Sequence, residues 1–154
     1  RPVRPAHAPG PRAGSARQRR QGAPPAMAQR QSFDYERPPV LDGARLHREV
    51  PPERWCVTKL DLADFRALVR RYVAEGRVVP TARDHFSATD DRIGPCIHTV
   101  NSQLIAPITR RAGRVSWALM LHPRGILCDL FVTHGWAEGA YEFADKVCHS
   151  WPAW

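Results

Sequence analysis

The run Ile126-Leu-Cys-Asp-Leu-Phe-Val-Thr-His134 constrains the fold more than any other stretch of the chain. It is apolar, of strand length, and centred on Phe131 and Val132, residues that favour extended backbone. "GWAEGAYEFADKVCHSW" (135–151) follows directly. There Tyr141, Phe143, Ala144, Val147 and Cys148 recur at helical spacing, and Pro152 stops the pattern. A buried strand, a glycine-containing turn and a helix form half of a βαβ unit. The expectation is therefore an α/β fold, or α+β if the sheet is small. About three helices would pack on a sheet to which the sequence commits one strand, 126–134.

The other helices are read from the same periodicity. Leu62, Phe65, Leu68, Val69, Tyr72 and Val73 define one face of a helix over about 62–75, with Asp61 as N-cap and Gly76 just past its end. Val100, Leu104, Ile105 and Ile108 supply the face of a second, which begins near Thr99 or Asn101, is kinked or split at Pro107 and ends at Gly113. Residues 115–123 alternate like a strand but have helix-forming composition, and a short helix is favoured there. The polar stretch 81–97 reads as a loop. Residues 33–57, interrupted by Pro38-Pro39 and Pro51-Pro52, read as an extended lead-in that Trp55 and Val57 anchor, with the globular region spanning 58–154.

Charge is divided sharply. Residues 1–30 carry seven arginines and no acid, whereas the rest has 16 basic against 15 acidic residues. The 1–32 stretch also holds six prolines and few large apolar side chains. It cannot bury enough surface to offset its ordering entropy, so a disordered basic arm is expected. It reads as a solvated tail, or as a leader outside the translated protein, since Met27 is the first methionine. A nucleic-acid contact, if any, would belong to this arm. The sequence reads as a fragment truncated at its C-terminus.

No stretch reaches the ~20 apolar residues that span a bilayer, and no secretory signal is present. The four scattered cysteines then read as free thiols, and the expected compartment is cytoplasmic, with nuclear as the alternative. Cys128 within the strand and Cys148 on the helix face read as buried small hydrophobes.

The candidate ligand site is the strand-to-helix turn: Thr133, His134, Gly135 and Trp136, with Glu138 at the helix start. In open α/β sheets ligands bind beyond strand carboxyl ends, near free helix N–H groups. His134 would bind or transfer a proton and Trp136 would stack on a ring; the structural alternative is capping and packing. Cys96, after Gly94-Pro95 and ahead of a helix, is a candidate nucleophile with His134 or His85 as base. Cys96-x-His98 and Cys148-His149 supply half of a zinc pattern, so no metal is expected. Asp90-Asp91 reads as a solvated turn.

Asp129, Phe131, Val132, Thr133 and His134, with Phe143 and Val147 beyond, resemble the first strand and helix of Toll/interleukin-1 receptor (TIR)-like domains. The wider stretch 94–152 resembles a protist family, of no assigned activity, that carries this unit. The resemblance implies homotypic association in signalling, without independent catalysis. Alternatively it implies cleavage of NAD or a nucleoside by a longer parent whose catalytic glutamate lies past Trp154; Glu138 and Glu142 do not match that residue. NAD would be a cofactor only under the enzymatic reading.

Overall fold

The computed structural model describes residues 33–152. The arm and its expected disorder and nucleic-acid contact lie outside them. The helices are α1 (Gly43–Glu49), α2 (Lys59–Ala74), α3 (Ile97–Val100), α4 (Ala106–Arg111), α5 (Trp117–Leu121) and α6 (Ala140–Ser150). A 3₁₀ turn spans Pro52–Arg54, and a π turn over Asn101–Ile105 joins α3 to α4 in one continuous rod.

The α/β expectation is overturned. The described residues form no sheet, only two isolated bridges, Thr81 with Asp84 and Cys96 with Gly139. Residues 126–134 are irregular, with a bend at Asp129, and belong to no strand. A strand buried on both faces needs neighbours that pair its backbone, and helices already fill the interior. Phe131 is accordingly 84% exposed and Leu127 68%.

The helix expectations fare better. All six residues of the α2 stripe are buried, and Gly76 takes φ +68° beyond its end. The N-cap is Thr58 rather than Asp61. Asp61 N–H donates to Thr58 Oγ1 (3.1 Å), and the Asp61 carboxylate accepts from Thr58 N–H (2.8 Å), a reciprocal capping box. The second rod starts at Ile97, and the split expected at Pro107 takes the form of the π turn. Ala106 N–H reaches back five residues to the Asn101 carbonyl, which loosens the turn that the proline ring would crowd. Residues 117–121 are helical, with the Ser116 side chain accepting from Leu119 N–H.

One apolar cluster unites the described residues. Val69, Val100, Leu104 and Leu119 are completely buried, and α2 packs along α6. Arg66 of α2 lies 2.7 Å from Asp145 of α6, through Nε and Oδ1. The 33–57 stretch is not simply an extended lead-in: it contains α1, whose Leu46 joins the core. Leu41 N–H donates to the Ala112 carbonyl at 3.0 Å, docking this segment on the end of α4. Gly113 permits that approach, because a Cβ there would stand 1.9 Å from the Leu41 oxygen. Trp55 does anchor the stretch, donating from Nε1 to the Val50 carbonyl at 2.8 Å.

Candidate functional site

The turn that precedes α6 is sewn to the start of α3. Ile97 N–H donates to the Glu138 carbonyl (2.9 Å) and His98 N–H to that of Trp136 (3.1 Å). In return Ala140 N–H donates to Pro95 (2.8 Å) and Tyr141 N–H to Ile93 (3.1 Å). Asp90 shapes the approach: its carboxylate accepts the N–H groups of Arg92 and Gly94, each at 2.9 Å, and these backbone bonds hold its carboxyl below the usual value. The expected solvated turn is thus a capped one.

This pairing brings Cys96 and Trp136 together across an open cleft of about 440 Å³, which Asp84, His98 and Thr99 also line. Cys96 N–H donates to Asp84 Oδ2 at 2.9 Å. Its thiol lies 3.4 Å from Thr99 Oγ1, and no imidazole is hydrogen-bonded to it among the described residues. The rings of His98 and Trp136 meet edge to face at 6.2 Å. The cleft offers a thiol, an imidazole and an indole, without an assembled Cys–His pair.

The other proposed ligand residues divide between two surfaces. His134 does not line the Cys96 cleft, and its ring lies 4.9 Å from that of Phe143 and 5.9 Å from that of Trp136. Thr133 and Glu138 instead border a groove of about 300 Å³ along α6, walled by Leu130, Val132, Phe143 and Val147. Glu138 lies before the helix, whose N-cap is Gly139. It stands 3.5 Å from Lys146, which Glu142 holds at 2.7 Å; the Glu142 hydrogen bond is the main cause of the raised lysine pKa. Gly135 is exposed, and a side chain there would meet nothing within 4 Å. The placement argument for this turn relied on a strand end that the fold does not have.

Sequence reasoning also misplaced Cys128, expected inside a strand and in fact exposed. Cys148 is half-buried, its thiol 3.8 Å from the Lys59 carbonyl, and burial raises its pKa. No group of three or more metal-ligating side chains is positioned to hold an ion among the described residues.

What sets this region apart is its apolar exposure. Leu127, Phe131 and Trp136 are more than half exposed, and Leu130 and Val132 more than a third. Among the described residues, no backbone N–H from Leu127 to His134 donates to another protein group. Lone exposed apolar side chains are ordinary, but several close together in sequence on backbone without N–H partners are less so. No helix of the described residues is long and apolar enough to cross a membrane. The described residues are helical and share one core, with the apolar side chains of Leu127 and Phe131 left exposed.

No family model, curated protein or solved structure matches the chain. The TIR-like resemblance therefore rests on the sequence pattern alone.

Proposed function

We propose that this protein is an interaction module that associates with a second copy of itself through residues 127–136. The observation that supports this reading is the 127–134 stretch, whose backbone N–H groups have no partner among the described residues and which carries Leu127 and Phe131 out into solvent. An identical segment offers the same free N–H groups, carbonyls to receive them and the same apolar side chains, so pairing two copies satisfies both. Asp129 is the single charged residue from 127 to 133, so self-pairing meets little repulsion. The reading keeps the homotypic association that the TIR-like resemblance implies and assigns no catalysis to the chain. Cleavage of NAD or a nucleoside, and nucleic-acid binding through the arm, draw no support from the described residues.

Sedimentation velocity of the full chain over a concentration series tests it. A reversible monomer–dimer equilibrium is expected, with Phe131→Glu weakening it at least tenfold while the helical circular dichroism signal stays unchanged. A monomer at every concentration, or a dimer indifferent to Phe131→Glu, would refute the proposal.

A further inference from the structure

Two thiols border one shallow cavity of about 250 Å³, between the chain entering α2 and the start of the 126–134 segment. Cys56 lies on the first wall and Cys128 on the second. Ile126 N–H donates to the Arg54 carbonyl at 3.0 Å, so the two stretches lie alongside each other at that point. Each cysteine follows two residues later, and both line the cavity. The thiols also sense one another: burial raises the Cys56 pKa to about 11, and the neighbouring Cys128 thiol and the charge of Asp129 add to the rise. Cys56 is half-buried and Cys128 exposed, and both are free thiols. Cys56 and Cys128 donate to the Glu53 carbonyl (3.7 Å) and the Leu130 carbonyl (3.3 Å), while Cys96 and Cys148, which do not line this cavity, are bonded to Thr99 and to the Lys59 carbonyl.

We propose that Cys56 and Cys128 are a disulfide-forming pair, closed by a small-molecule disulfide such as oxidised glutathione, which ties the 126–134 segment to the entrance of α2. The exposed Cys128 reacts first, because attack on a disulfide needs an accessible thiolate. Its thiolate attacks one glutathione sulfur, forms a mixed disulfide and releases one glutathione thiolate. The Cys56 thiolate then attacks the Cys128 sulfur and expels the second glutathione. The two protein thiols give up two electrons and two protons, and one glutathione disulfide leaves as two glutathione thiols. The pairing does not depend on self-association.

The reduced full chain is equilibrated in a glutathione redox buffer, quenched with acid and mapped by mass spectrometry without reduction. The expected product is a monomer with a Cys56–Cys128 crosslink and two of its four thiols lost. Cys56→Ser should stall with glutathione on Cys128, and Cys128→Ser should leave Cys56 a free thiol. The crosslinked protein should melt several degrees higher than the reduced one. A wild-type chain that stalls at the Cys128 adduct, that joins Cys128 to Cys96 or Cys148, or that forms Cys128–Cys128 dimers instead would overturn the proposal.

Discussion

Asp61 Oδ2 lies 2.7 Å from His122 Nε2 and so links the first turn of α2 to the residue that follows α5. The carboxylate is buried and accepts only, so the imidazole donates through Nε2–H. Burial alone would raise the Asp61 carboxyl. The hydrogen bonds from Thr58 and His122 outweigh it and hold the group below its ordinary 3.8. A carboxyl lowered on folding stabilises the protein above its unfolded pKa, and that contribution fades as pH falls through the folded value. The melting temperature should therefore decline as the solution is acidified below about pH 4. Asp61→Asn should cost about 1–3 kcal/mol at neutral pH and flatten the acid limb. Thermal melts across pH decide it; an acid limb unchanged in the variant would remove Asp61 from the account.

Glu36 titrates in a separate window. Arg77 hydrogen-bonds its carboxylate, with Nη2 at 2.9 Å from Oε2, and Tyr72 O–H donates to it at 2.6 Å. These two bonds, Arg77's first, bring its pKa down from 4.5 to about 2. Its contribution is whole above pH 4.5 and disappears between there and pH 2. The side chain is 46% exposed, so water and salt screen the pair, and Glu36→Gln should cost less than about 1 kcal/mol. The sharper readout is local. Amide exchange of residues 33–41 should quicken in the variant and in high salt, while that of α4 stays slow.

Two glycines separate backbone strain from crowding. Gly76 has φ +68° with nothing within 4 Å of an added Cβ. Gly94 has φ +71°, and an added Cβ would lie 2.5 Å from the Tyr141 ring, itself almost fully buried. Gly76→Ala should cost only the left-handed backbone penalty, about 1–2 kcal/mol. Gly94→Ala should cost clearly more, because Tyr141 packs in the core and cannot yield freely. Urea denaturation of both variants measures the difference, and equal losses would mean that the ring moves aside.

These glycines also show what was legible in the chain. Gly76 was readable as a helix terminator, because the α2 stripe ends just before it. Local signals of this kind carried α2, the rod through Val100, Leu104 and Ile108, and the Tyr141–Ala144 face of α6. Thr58 with Asp61 three residues later was a capping box in plain sight, and reading Asp61 as the N-cap missed it. The 126–134 run misled because β-propensity reports only that Phe131 and Val132 tolerate extended backbone. Whether a sheet forms depends on partner strands elsewhere, and the described residues contain none. Cys56 and Cys128 line one cavity, and Asp61 meets His122, across distant stretches, and no spacing rule announces such placements. Cys96 and Trp136 were each singled out locally, but their shared cleft depends on the pairing of residues 93–98 with 136–141.

Trp136 can report on association directly. Its side chain is 59% exposed, and it follows the Leu127–Val132 row in the chain. Acrylamide should reach it readily in the monomer, so Trp136→Phe should remove a strongly quenched part of the tryptophan fluorescence. More than half of the residue is exposed and phenylalanine keeps an aromatic ring there, so the variant should match the wild type in stability within about 0.5 kcal/mol. The wild-type minus variant signal then isolates this one position among the five tryptophans. If two copies join through residues 127–136, the indole is covered in the dimer, and quenching of the difference signal should weaken as concentration rises. Phe131→Glu, which removes the apolar centre of the row, should restore full quenching at the same concentration. A difference signal that stays equally quenched while sedimentation reports dimers would place the contact on another face of the molecule.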